Sequence, residues 1–580
     1  MDGHGLVRSV KLMGSVGGMR TAWRSWRGDS CAPQQRGPEL ARVPGPLLGA
    51  EPGPGGGVVR FARSELSIRV AAGGAVFWAW DGAGRLPSYG PVGTDPAPDP
   101  RARLEPGTDG GWQVVSERLT VSVSRVGAVE LRTPGGVPLR RELPPRWWEA
   151  VGGGPARWVQ RAELPSDARF FGLGGPPSGP RLRSGAYPLG AMAAGRPGLQ
   201  DGAGGAAAPL LPVQFVVSDA GTHLAFYDST GTGRMTIREG EEGAGSGHDR
   251  PGGSEVRMDG GPLRCWAVAG TPARVLRGWT GLTGAPALPP SGVPEPLPAV
   301  EGGADEEGGA DERDVRRIVS GGAADGWPGL RAALATVIGL GLCGVPYSGP
   351  DLGSFQDAES PELYLRWLQL GTRLPLFRIG AGDWNGAVGL GEEVGAHAGA
   401  ALLERERLGP YFLTLAHVAR LTGAPYVRPL WWDAPRDRAL RDCEDAFLLG
   451  DGVLVAPVLE PGTVRRTVRL PRGRWYDTAT GRAYEGPGRV TVEAPLSRIP
   501  VLARAGTVIP VRGDDGGTEL EAWAPRPGRR GGGVLVRGAG TGRGKPVVER
   551  FRTRWEDGRV VVERDGHAGP VPYAVRLRGV

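Results

Sequence analysis

The residue whose type and setting could carry chemistry is Asp351, in the polar loop Ser348-Gly-Pro-Asp-Leu-Gly-Ser-Phe355. A carboxylate there can bind or act as an acid, base or nucleophile, and it can equally be an ordinary turn or cap residue. The elements around it have to decide. Upstream, Val337 to Val345 is an apolar, glycine-spaced run that predicts a strand buried on both faces and ending at Pro346. Downstream, Ser360-Pro361-Glu362 predicts a helix start, with a capping serine, a proline at the first helical position and a carboxylate in the first turn. Leu363, Trp367, Leu370 and Leu374 make one apolar stripe on that helix, and Leu374 to Arg378 reads as a second short strand. Strand, loop, helix, strand is the repeating unit of a parallel barrel or sheet, whose chemistry sits in the loop after the strand. Asp351 stands in that loop.

Other signals fall away. Gly339, Gly341 and Gly344 satisfy G-x-G-x-x-G, but the run leads to Pro346 instead of opening a helix, as a dinucleotide site requires. The tract before Gly544-Lys545 has Ala539 and Pro546 where a phosphate loop needs glycine and a hydroxyl residue. Ser348 has Pro346 two residues before it, not the glycine of a nucleophile elbow. The six histidines, His397 and His417 among them, lack metal-ligand spacing, and Cys31, Cys265, Cys343 and Cys443 are too far apart for a metal knuckle or redox pair. No metal and no cofactor is expected.

Gly349, Asp351, Leu352, Gly353 and Phe355, then Pro361 through Gly371, then Pro375 and Arg378, resemble the ordered motif of glycoside hydrolase family 31, the α-glucosidase and α-xylosidase family. The resemblance implies a retaining α-glycosidase ancestry in carbohydrate metabolism, with an α-linked carbohydrate as partner. Asp351, Phe355 and Arg378 match positions that grip the sugar, whereas Gly380 stands where the family has histidine. Such enzymes need two carboxyl groups ~5–5.5 Å apart, one as nucleophile and one as acid/base. The family's W-x-D-M-N-E nucleophile motif is absent from these residues. The acid/base motif W-x-G-D falls on Val319, Ser320, Gly321 and Gly322, so that the acid position aligns with Gly322. Asp325 is the nearest carboxylate, either a substitute acid or an N-cap for a helix starting near Trp327. The catalytic residues are therefore unassigned. The expectation is a pseudoenzyme, inactive alone, with a non-catalytic carbohydrate-binding or scaffolding protein as the alternative.

The chain has 580 residues, ample for several domains. Its 101 glycines and 55 prolines suggest low complexity, but 18 tryptophans argue for a globular protein with long irregular inserts. The net charge of +7 is dispersed arginine without clustered stacking aromatics, which argues against a nucleic-acid partner. No run reaches the ~18 apolar residues of a membrane span, and the first thirty residues lack a secretory apolar core, so no membrane association and a cytoplasmic location are expected.

In chain order, residues 1–57 read as a mobile tail and 58–290 as an N-terminal β-sandwich. Strands are predicted over 58–62, 66–71, 75–80, 112–115, 119–123 and 129–133, with Trp147, Trp148 and Trp158 filling the core. Phe170-Phe171-Gly172-Leu173-Gly174 and Tyr187-Pro188-Leu189 resemble family segments near the substrate mouth. Residues 291–310 read as an acidic proline and glycine linker, and 311–320 as a helix with Val315, Ile318 and Val319 on one side. Residues 311–425 would be a remnant of a (β/α)8 barrel, TIM-barrel type, since a whole one needs ~250 residues. Within them a helical segment after Gly391 is broken at Pro410. Residues 426–505 and 506–580 read as proximal and distal C-terminal β domains. The expected fold class is thus multidomain α/β plus β: N-terminal β-sandwich, truncated barrel, C-terminal β-sandwich domains.

Overall fold

The structure is a computed structural model that describes residues 39–80, 96–151, 156–176, 178–190, 211–229, 231–243, 248–286, 288–289, 297–298, 318–320, 326–350, 360–376, 378–379, 391–538, 546–567 and 569–580. It is β-rich. An eleven-stranded and a nine-stranded antiparallel sheet form the N-terminal part, which starts earlier than the sequence suggests. Residues 39–57, assigned above to a tail, already make strands: Glu39–Arg42 pairs with Arg146–Ala150, and Leu47–Gly53 pairs with Gly56–Phe61. The short alternating runs from Gly56 to Arg132 all become strands, with boundaries within two residues of expectation. Trp147 and Trp158 are buried between the sheets, as the core needs, while Trp148 is half-buried beneath the Arg157 guanidinium.

The central strands of the nine-stranded sheet are buried on both faces. Along Val213–Val217 and Thr222–Tyr227 every residue is buried. Val216, Ala225 and Tyr227 point into the sandwich, and Phe215, Val217, Leu224 and Phe226 point the other way into a core shared with helices and the C-terminal part. That second core covers the outer face of these two strands.

Among the described residues six helices follow in order: α1 (Pro272–Thr283), α2 (Gly326–Leu342), α3 (Pro361–Gly371), α4 (Glu392–Arg407), α5 (Gly409–Thr422) and α6 (Arg438–Arg441). α3 is built as its sequence dictates: the Ser360 side chain accepts from Leu363 N, Pro361 opens the helix and Glu362 lies in the first turn. The break at Pro410 separates α4 from α5, and Gly423 closes α5 in the left-handed region at φ +75°.

Three sequence expectations are corrected. Val337 to Val345 is the last part of α2 and its turn, not a strand, because this end of the helix is apolar and buried without a break from Val337 to Leu342. Ile318–Ser320 is a short strand, not the end of a helix, and pairs in parallel with Ser348–Pro350. Leu374–Leu376 is turn and coil, and only Arg378–Ile379 is a strand, parallel to Leu297–Pro298. Beyond α5, a six-stranded sheet runs from Val427–Pro429 to Val501–Arg504, followed by two three-stranded sheets. Among the described residues no helix is long and apolar enough to cross a membrane.

Candidate functional site

Ser320 lies opposite Pro350 in the parallel pair Ile318–Ser320 and Ser348–Pro350. Pro350 immediately precedes Asp351, and Ser320 is two residues before Gly322. The chain therefore leaves this pair toward both sequence-assigned positions at the same carboxyl end, the end that carries chemistry in parallel α/β folds. Asp351, Phe355, Gly322, Asp325 and Gly380 themselves lie outside the described residues, and Arg378 is placed by its backbone in Arg378–Ile379.

The pair is held tightly from one side. A Cβ on Gly349 would meet Leu376 O at 1.3 Å, so only glycine permits the close approach of the segment leading to Arg378. Leu376 N donates to Ser348 O at 3.3 Å. Arg405 of α4 fixes the same segment from below, donating to Thr372 O, Leu374 O and Pro375 O. Burial lowers the Arg405 guanidinium to about 9. Arg373 reaches Glu404 at 3.4 Å. Burial opposes the charge on Glu404, but Arg407 and Arg373 outweigh it and hold that carboxyl below its usual range.

Three carboxylates elsewhere are paired with arginines. Burial raises Asp433, whose side chain lies 3.3 Å from Arg504. Burial also raises Glu444, which is paired with Arg183. Asp451 is paired with Arg428. Among the described residues no three His, Cys, Asp or Glu side chains gather as a metal site.

The motif on α3 joins the helix to the β domain that follows it. Arg366 is 3% exposed and donates to the carbonyls of Ala494 at 3.0 Å, Pro495 at 2.9 Å, Arg498 at 3.2 Å and Thr463 at 3.4 Å. Gln369 Nε2 donates to Leu496 O at 2.7 Å, and its Oε1 accepts from Arg366 at 3.0 Å. Glu362 accepts from Gly462 N at 3.0 Å. The polar residues of Pro361–Gly371 thus clasp loops of the following β domain. Sequence reasoning missed this, although Arg366 and Gln369 stand out as polar residues inside an otherwise apolar helix.

The Phe170–Gly174 segment is likewise a docking element. Gly172, Leu173, Gly174 and Gly175 all have positive φ, at 104°, 53°, 81° and 76°. Phe171 packs on Trp431 with ring centroids 4.8 Å apart, and Gly174 N donates to Cys343 Sγ at 3.2 Å.

Comparison with known proteins agrees with this architecture. Residues 316–415 match the glycosyl hydrolases family 31 TIM-barrel domain, and residues 423–509 match the glycosyl hydrolase family 31 C-terminal domain. A probable glucan 1,3-alpha-glucosidase of Arabidopsis thaliana is 38% identical over 192 residues, 32% of this chain and 20% of that protein. An alpha-glucosidase of Hordeum vulgare is 37% identical over 191 residues, 32% of this chain and 22% of that protein. The matched part is thus about a fifth of the length of these relatives. The whole fold is similar to the Flavobacterium johnsoniae GH31 dextranase complexed with isomaltotriose, at TM-score 0.73 and 16% identity over 92% of each chain. It is also similar to the glucosidase II alpha subunit, at TM-score 0.70 and 13% identity over 92% of this chain and 89% of that one. Residues 316–415 and 423–509 are thus similar to the barrel and C-terminal domains of glycosyl hydrolase family 31, and the fold around them is that of the solved neighbours.

Proposed function

We propose that this chain is a degenerate family 31 protein, derived from a retaining α-glycosidase of the α-glucosidase or α-xylosidase type and inactive alone. The observation that carries this is the pairing of Ser320 with Pro350. It leads the chain out at one end toward Asp351 and toward Gly322, where the acid/base aspartate is expected, so one side offers a carboxylate and the other a hydrogen. Double displacement needs both a nucleophile and an acid/base. Asp351, Phe355 and Arg378 would remain as contacts for an α-linked sugar, on a barrel shortened between residues 291 and 325. Binding through an aromatic platform on the sandwich has less support: no tryptophan among the described residues is exposed, and Arg157 covers Trp148 at 4.6 Å.

The test is covalent trapping. The folded chain is incubated with a 5-fluoro-α-glucosyl fluoride, which accumulates a glycosyl-enzyme wherever a carboxylate nucleophile works, and its intact mass is measured. An unchanged mass is expected. A stoichiometric glycosyl adduct on an aspartate or glutamate would overturn the proposal.

A further inference from the structure

Outside the barrel region, an open groove of about 740 Å³ lies at the corner between the first two strands, walled by Val43, Pro44, Pro46, Leu47, Val126 and Pro144. That volume is in the range of sites that hold ligands, ~300–1,000 Å³. Its walls are apolar and stiff, three of the six being prolines whose φ is fixed. The apolar surface continues past the groove: Leu48 is 71% exposed, Val126 59% and Leu40 50%.

One cation stands in this apolar setting. Arg125 lies across Gly110, where an added Cβ would come within 2.0 Å of the guanidinium, and Gly110 at φ +75° leaves the room for it. The Arg125 backbone is anchored by Leu47 N donating to its carbonyl at 3.1 Å. The nearest carboxylate along the neighbouring loop, Asp109, accepts from Gly111 N at 2.9 Å. Among the described residues no carboxylate is paired with the Arg125 side chain. Beside the groove, Glu39–Arg42 pairs only with Arg146–Ala150 among the described strands, so its other edge carries no described partner.

From this charge and this edge we propose that the groove docks an extended peptide of a partner protein, with apolar side chains against the prolines and valines and a carboxylate on Arg125. Main-chain pairing along Glu39–Arg42 would set its direction, as in strand addition to a sheet edge, and the planar guanidinium would select a carboxylate over an amide. The site is independent of the barrel and of any glycosidase chemistry.

The experiment pans a displayed library of random nine-residue peptides on the full chain and measures the selected peptides by fluorescence anisotropy. Peptides pairing a glutamate, aspartate or terminal carboxylate with apolar neighbours are expected. They should lose about tenfold in affinity or more, about 1.4 kcal/mol, on Arg125→Glu, and also weaken on Leu48→Asp. Both positions are exposed, so the variants are expected to fold, which their melting temperatures check. Three outcomes would overturn the proposal: no enrichment, uncharged peptides, or equal binding to Arg125→Glu. Concentration-dependent dimerisation of the wild type that Arg125→Glu abolishes would also overturn it, by assigning the groove to a second copy of the chain.

Discussion

Gly339 of α2 lies directly against Gly175: a Cβ built on Gly339 would fall 2.2 Å from Gly175 Cα. Around this contact Thr336 Oγ1 donates to Gly175 O at 3.1 Å, so the helix and the left-handed loop are locked backbone to backbone. Because both neighbours are main chain, neither can rotate away. Gly339→Val is expected to cost about 1–3 kcal/mol, the range of overpacked cores, read as a lowered denaturant midpoint. Gly399→Ala in α4, with open space around it, should instead stabilise by up to ~1 kcal/mol. Equal effects would remove the docking role from Gly339.

The clasp on α3 gives a second prediction. Arg366→Met leaves the carbonyls of Thr463, Ala494, Pro495 and Arg498 without their donor. At ~1–3 kcal/mol for each buried group left unpaired, the loss should be about 3 kcal/mol or more. Limited proteolysis should then cut first within 460–500. A variant as resistant as the wild type would contradict the clasp.

Much of this fold was legible in the sequence, and the failures have physical causes. The alternation from Gly56 to Arg132 and the cap at Ser360 survive because one face of each element meets water or a known partner, which leaves a period to read. Val337 to Val345 misled because this end of the helix is buried on every side and shows no polar face, so a short apolar run looks like a buried strand. Its glycines mark contacts with Gly175 and, through Gly341, with Pro425, both distant in sequence. Arg366 carried no local sign of which carbonyls it serves. At the candidate site, the pairing of Ser320 with Pro350 rests on strands of three residues, too short to register as a pattern.

The contact between the sandwich and the segment around α6 predicts a contrast between two arginines. Arg441 is 1% exposed and reaches Asp167 at 2.9 Å and also Asp219. Arg441→Ala strands Asp167, whose side chain is 10% exposed, and should cost about 3–5 kcal/mol, as for a broken buried pair. Arg438 also pairs with Asp219 and with Glu242, but its side chain is 51% exposed. Arg438→Ala should cost less than about 1 kcal/mol and shrink further in salt. Chemical denaturation of both variants separates the two cases.

Acid should weaken the sandwich through His223, which is 1% exposed with neither ring nitrogen hydrogen-bonded. Burial, and then Arg140, lower its pKa well below the ordinary value. The unfolded chain therefore takes up a proton that the folded chain refuses. The stability from neutral His223 is full above pH ~6.5 and falls below it, by up to about 1.4 kcal/mol per pH unit. His223→Leu should flatten the stability profile between pH 6.5 and 5. A slope unchanged by the substitution would assign the acid sensitivity to other groups.

The central claim is that one carboxylate stands where the reaction needs two, and release of 4-nitrophenol tests it most directly. Purified chain with a cooperative thermal transition is incubated with 4-nitrophenyl α-glucoside and α-xyloside beside an Asp351→Asn variant. The account predicts no release above the buffer rate from either protein. Turnover by the wild type that Asp351→Asn abolishes would contradict it and place a working site around that loop.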